Sequence, residues 1–223
     1  MIKIEMTDTY GWDIAIRGMR NPLNSWEKID SRWDGFGEID GYSVGDNDLA
    51  LMKKLVRAGS DHRKFMRMIT VTADITAPLY WWKEYDTYKV GTVANPCSTM
   101  HKIHAKEFTL DDFSHDHLFD GYDLRDDPNN DLECYENPTT ALEYIIAVMN
   151  HYRKKFIDTK DKRYWWQMIQ LLPTSYNQKR TVLLNYEVLR NIYHARKNHK
   201  LDEWHTFCEW IETLPYHELI TEE

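Results

Sequence analysis

Most of the short signatures that announce an enzyme class are missing from this chain. There is no G-x-G-x-x-G, no G-x-x-x-x-G-K-[ST] and no G-x-S-x-G. The first omission removes the glycine turn that brings a pyrophosphate to a helix N-terminus. The second removes the phosphate-cradling loop, and the third the nucleophile elbow. Rossmann dinucleotide binding, P-loop chemistry and α/β-hydrolase chemistry are therefore not expected. Cysteine is scarce: Cys97, Cys134 and Cys208 form an odd set with no CxxC spacing. That pattern predicts reduced thiols rather than a disulfide framework. Positive charge is in deficit, with 28 Lys+Arg against 36 Asp+Glu and a net charge of -8. Such a balance argues against gripping a nucleic-acid backbone. No apolar run approaches the roughly 20 residues of a membrane helix. The opening "MIKIEMTDTY" has no basic stretch leading into an apolar one, so no signal peptide is expected and a cytoplasmic location is.

What is present is aromatic. The chain holds 9 Trp, 14 Tyr and 7 Phe in 223 residues, and 42% of it is hydrophobic. That is enough for one good-sized core, so a single domain over 1–223 is expected. Trp and Tyr bring a polar group with their bulk. They suit a plain aromatic core, stacking on planar ligands, or a large subunit interface equally well.

Periodicity predicts the elements. "IKIEM" and "DIAIR" alternate and read as two strands joined by a turn at Thr9-Tyr10-Gly11. The Gly- and Asp-rich stretch to Asp48 reads as loop. "DNDLALMKKLVRAG" reads as a helix. β-Branched alternation in "MITVTADI" predicts a strand, extended through "APLYWW". Residues 106–137 are acidic and turn-rich and read as an insertion. "NPTTALEYIIAVMNHYRKKFIDT", "DKRYWWQMIQLL", "QKRTVLLNYEVLRNIYHARKN" and "LDEWHTFCEWIETL" read as four helices. The order predicts an α+β fold, a twisted mixed or antiparallel sheet with helices packed on it.

Three groups of residues have chemical potential. His101 and His104 stand three apart, and His115 and His117 flank Asp116. Without an HExxH or paired CxxC this spacing reads as a solvated acidic loop, and no metal is expected. Cys97 follows Asn95-Pro96. It can act as a nucleophile only if the fold brings a cation or a base to it, and otherwise it is structural. Asn185 and Arg196 are eleven residues apart, which returns them to one helix face, while Asn191 lies about 120° away. An amide and a guanidinium on one face can grip planar polar edges. An exposed polar stripe is the plainer reading.

Several stretches, taken in order, resemble the flavin-dependent thymidylate synthases. "APLYWWKEYDTYKVGTVANPCSTM" lies ungapped on that family's A-P-[IL]-F-x-x-R-Q-W-x-R-H-R-x-x-S-x-N-E-x-S-x-R-Y segment. Ala77, Pro78, Leu79 and Tyr80 follow the lead-in, and Glu84 falls on the Gln. Thr87, Tyr88 and Lys89 fall on Arg-His-Arg. Thr92, Asn95 and Cys97 fall on the Ser, Glu and Ser that follow. "LLPTSYNQKRTVLLNYEVLRNIYHAR" places Leu172, Pro173, Asn185, Leu189, Asn191 and Arg196 on a second conserved run of the family. "LDEWHTFCEWIETLPYHEL" is similar to its closing helix. "IAIRGMRNP" and "HRKFMRM" loosely resemble its early arginine strand and its histidine-bearing turn, with Met68 in place of the second His.

The resemblance implies reductive methylation of dUMP to dTMP, with FAD as cofactor and NADPH and methylenetetrahydrofolate as co-substrates. A homotetramer with sites at subunit junctions goes with it. It assigns Thr87, Tyr88, Lys89, Asn185 and Asn191 to the flavin. Glu84, Thr92, Asn95, Cys97 and Arg196 go to the nucleotide, with Cys97 as the catalytic candidate. The departures are specific. Arg-His-Arg has become Thr87-Tyr88-Lys89, the last Arg of the segment is Thr99, and an arginine before "LLP" is Ile169. Each loss removes a charged hydrogen bond, and Lys is no bidentate substitute for Arg. This pattern keeps open a homologue with altered chemistry that binds flavin or a pyrimidine nucleotide, and beyond it an acidic interaction module.

Overall fold

The computed structural model describes residues 2–37, 39, 41–120 and 137–222. The elements run β1 (Lys3–Tyr10), α1 (Trp12–Arg20), β2 (Arg32–Trp33), β3 (Tyr42–Ser43), α2 (Asp46–Arg57), β4 (Thr70–Pro78) and α3 (Leu79–Tyr85). They continue with β5 (Val93–Pro96), α4 (Pro138–Thr159), α5 (Lys162–Leu171), β6 (Asn177–Asn185), α6 (Tyr186–Arg196), α7 (Asp202–Ile211) and α8 (Glu218–Thr221). The main sheet has the order β1-β4-β6-β5, and β2 pairs antiparallel with β3. This is the α+β arrangement that the periodicity predicts, with antiparallel sheets and packed helices. Among the described residues no helix is long and apolar enough to cross a membrane. Cys134 and half of the acidic stretch 106–137, residues 121–136, lie outside the described residues.

The chain forms two compact units. One takes Thr76–Lys83 and Pro96–Lys179. Its core is built by α4 and α5 with the segment before them: Ile103, Phe108, Phe113, Leu142, Ile146, Met149 and Met168 are all buried. The other takes Ile2–Ile75, Glu84–Asn95 and Arg180–Glu223. There α6 packs on α7 and α8, and α1 packs on α2 and on the short 3-10 turn at Lys64–Arg67.

Three stretches differ from their expected state. "DIAIR" belongs to α1, not to a strand. Trp12, Ala15, Ile16, Met19 and Arg20 are its buried positions, a spacing of three and one that only a helix brings to one face. Gly11 starts it at φ 85, and a Cβ there would stand 2.2 Å from the Met68 carbonyl oxygen. "LYWWKEY" forms α3. The strand before it alternates strictly, burying Val71, Ala73, Ile75 and Ala77, and the helix then buries Trp81, Trp82 and Tyr85. "NQKRTVLLN" is β6 rather than the start of a long helix. It buries Gln178, Val182 and Leu184, period-two positions that the 3.6-residue pattern of the following helix masks.

A buried ion pair ties the second unit together. Asp48 is fully buried. Its Oδ1 accepts from Arg20 Nε at 2.9 Å and Nη2 at 2.7 Å. Its Oδ2 accepts from the backbone N–H of Asp30 and Ser31 and from the Ser31 hydroxyl at 2.7 Å. Burial raises the carboxyl pKa, but the Ser31 hydroxyl, Arg20 and the two amides outweigh it and hold Asp48 below the usual carboxylate range.

Candidate functional site

The site candidates gather where the loop after α3 meets α6, within the second unit. The loop is shaped by its own hydrogen bonds. Thr87 donates through its backbone N–H and hydroxyl to the Glu84 carbonyl, at 3.1 and 2.7 Å. The Tyr88 N–H donates to Tyr85, and the Thr92 hydroxyl donates to the Tyr88 carbonyl at 2.6 Å. Gly91 has φ 81, and a Cβ on it would meet Asn185 Nδ2 at 2.8 Å. Only glycine lets this loop lie so close to the start of α6.

Asn185 stands at the junction of β6 and α6. Its side-chain oxygen caps the helix, accepting from Val188 N–H at 3.0 Å. Its Nδ2 donates to the Gly91 carbonyl at 3.5 Å. At the far end of α6, the Arg196 guanidinium donates to Glu84 Oε2 at 2.9 Å and to the Tyr88 hydroxyl at 2.9 Å. It also lies over two rings, 4.8 Å from the centre of Trp204 and 5.6 Å from that of Tyr88. Trp204 donates its indole N–H to the same Glu84 oxygen at 3.0 Å, and His199 Nε2 stands 3.5 Å from it. The pair is only half-buried: the Arg196 side chain is 19% exposed and that of Glu84 35%.

The fold thus brings together Glu84, Tyr88 and Arg196 at one end of α6, and the same loop carries Thr92 and reaches Asn185 at the other end. Thr87, Lys89, Asn95 and Asn191 are exposed, and Asn191 lies on another face of α6. Cys97 belongs to the other unit. It is exposed, and its backbone is held by Lys179 and Gln178. No hydrogen bond reaches its thiol among the described residues, so no activating base is in evidence. His115 Nδ1 stands 2.9 Å from the Phe113 carbonyl oxygen, which accepts from it in the Nδ1–H tautomer. Among the described residues no three His, Cys, Asp or Glu are grouped to hold a metal ion.

Trp204 and His199 were not singled out by spacing. The closing-helix resemblance contained the signal for Trp204, since its tryptophan falls on "DEWH". Nothing in the pattern marks His199, which reaches Glu84 from the loop between α6 and α7.

Chemically the corner at the C-terminal end of α6 offers two aromatic faces, a guanidinium and a carboxylate, and the loop runs from it to the Asn185 amide at the other end of the helix. That set suits the polar edge and flat face of a planar ring. No family model matches the chain, and no curated protein matches it in sequence. Solved structures do. The flavin-dependent thymidylate synthase ThyX of Helicobacter pylori, solved with FAD and dUMP, superposes with a TM-score of 0.66 at 15% identity. The match covers 99% of this chain and 98% of that one. The UMP/dUMP methylase PolB of Streptomyces cacaoi, bound with 5-Br dUMP, gives a TM-score of 0.61 at 16% identity, covering 99% and 95%. The fold is that of the flavin-dependent thymidylate synthases. The two folds correspond over nearly the whole of both chains although only 15% of the residues are identical.

Proposed function

We propose that the chain is a diverged member of the flavin-dependent thymidylate synthase family. In this reading it methylates a pyrimidine nucleotide of the dUMP type, with FAD as cofactor and methylenetetrahydrofolate and NADPH as co-substrates. One observation carries the reading: in a fold shared with ThyX and PolB over nearly their whole length, one loop joins the Glu84–Tyr88–Arg196 cluster at the end of α6 to Asn185 at its start. A homotetramer in the cytoplasm belongs to the same proposal.

The residues fit a planar group with polar edges. Gly91 leaves no room for a side chain beside Asn185, so backbone and amide can meet a ring there. The reduced flavin, when bound, supplies the hydride. The chain's own residues then bind and orient. Asn185, with Tyr88, Thr87, Lys89 and Asn191, faces the flavin. Glu84, Thr92, Asn95 and Arg196 face the nucleotide. Arg196 orients a carbonyl edge, and Trp204 and His199 fix the Glu84 carboxylate beside it.

A second reading rests on a specific observation. Arg196 is already paired with Glu84, and Thr87-Tyr88-Lys89 replaces Arg-His-Arg. The phosphate grip has therefore changed, which suits a homologue with altered chemistry on a retained ring pocket. Absorption of the purified protein after incubation with FAD and removal of unbound flavin tests the first reading: a protein that stays colourless sinks it. Tritium release from C5-labelled dUMP, with methylenetetrahydrofolate and NADPH, then separates them. Release supports the synthase, and flavin binding without release supports the altered homologue.

A further inference from the structure

A separate cavity of about 220 Å³ lies in the second unit, lined by Thr9, Tyr10, Gly11, Trp12, Asp13, Trp33, Ile39 and Tyr42. Half of its lining residues are aromatic. Trp12 and Tyr42 are buried, while Tyr10 and Trp33 are 53% and 65% exposed. Trp33 and Tyr42 face each other across the β2–β3 pair, ring centres 4.9 Å apart and planes inclined at 60°. Their faces therefore make a corner rather than a stack.

The polar tips of the buried rings are already engaged. The Trp12 indole N–H donates to the Thr9 hydroxyl at 3.2 Å, and the Tyr42 hydroxyl bonds with the Ser31 side chain. What remains for a ligand is mostly ring face. Among the described residues no lysine or arginine lines the cavity, and Asp13 is the charged residue in its lining. The Asp13 carboxylate makes no hydrogen bond or ion pair among the described residues, and it acts electrostatically on Tyr42.

Electron-rich ring faces with a single carboxylate attract a cation. With so few free donors and acceptors, the preferred cation is one that needs no hydrogen bonds. The volume falls below the roughly 300 Å³ of drug-sized sites, which suits a small headgroup. We propose that this cavity binds the methylated ammonium group of a small molecule, with Trp33 and Tyr42 as the ring faces and Asp13 as the counter-charge. The site uses none of the residues assigned to the proposed nucleotide chemistry, so either proposal can fail alone.

The test is calorimetric titration of the full chain with choline and with tetramethylammonium, at constant ionic strength, against 3,3-dimethyl-1-butanol as choline's uncharged isostere. Both cations are expected to bind saturably and the isostere at least about tenfold more weakly. Trp33→Ala and Asp13→Asn, both at exposed positions, are each expected to weaken choline binding by about five- to tenfold. A circular-dichroism spectrum and melting curve matching the parent confirm folding. Absence of saturable binding overturns the proposal. So does an isostere that binds as tightly as choline, or affinity unchanged in folded Trp33→Ala. A trimethyllysine peptide that binds while choline does not would overturn the small-molecule assignment.

Discussion

Two arginine–carboxylate pairs in the same unit follow different designs. Arg20–Asp48 is closed: the side chains are 5% and 0% exposed, and five donor contacts fill both carboxylate oxygens. Arg196–Glu84 is open: the side chains are 19% and 35% exposed, and every contact to Glu84 from Arg196, Trp204 and His199 falls on one oxygen. A saturated buried pair specifies the fold and has nothing left to offer. A half-exposed pair on aromatic faces leaves a carboxylate oxygen and a guanidinium edge toward solvent, which a ligand can use. Neighbouring charges alone do not mark a site; unfilled hydrogen-bonding capacity does.

Five substitutions grade this contrast. Asp48→Ala strands the buried Arg20 charge and should cost about 3–5 kcal/mol of stability, read by urea unfolding; a loss below about 1 kcal/mol would break the distinction. The same pair gives a pH signature. The Asp48 pKa is lowered in the folded state. Its contribution is therefore complete above the unfolded carboxylate value of about 3.9 and is lost as pH falls through the lower folded one. Asp48→Asn should be less stable at neutral pH and should flatten that acid limb.

Arg196→Ala should spare the fold and weaken dUMP binding by about 1.5–3 kcal/mol, roughly ten- to 150-fold. Calorimetry reads it, and an unchanged affinity would remove Arg196 from the site. Glu84→Gln keeps the shape and releases the guanidinium from its counter-charge. It also removes the carboxylate proposed to face the nucleotide, so dUMP binding should weaken by about 1 kcal/mol, near fivefold; tighter binding would mean that Glu84 acts only as the counter-charge of Arg196. Last, Arg163→Ala breaks an exposed pair with Asp161 on α5. Its unfolding midpoint should not move, because solvent screens such pairs; a clear shift would show that exposure is the wrong axis for the comparison.

Legibility in the sequence followed the length of the periodic signal. Helix α4 carries Leu142, Ile146 and Met149 on one stripe over 22 residues, so its pattern is unambiguous. "DIAIR" and "LYWW" are too short for period two and period 3.6 to be told apart, and β6 runs straight into α6 with no breaker between them. For the site, spacing placed Asn185 and Arg196 on one helix face, but that face starts at a cap. Glu84 and Arg196 are 112 positions apart, a separation that no local pattern reports. The family resemblance supplied that pairing of segments. It did not foresee that the loop, the carboxylate and the guanidinium would bond to one another.

The cap at Asn185 turns α6 into a measuring rod. Eleven residues at about 1.5 Å each set its two ends roughly 16 Å apart, with the amide at one end and the guanidinium at the other. The rod fixes angle as well as length. One residue inserted between them would swing Arg196 by about 100° away from Glu84 and Tyr88. The β6–α6 junction is thus where both the reach and the aim of Arg196 are calibrated, although it is remote from the guanidinium itself.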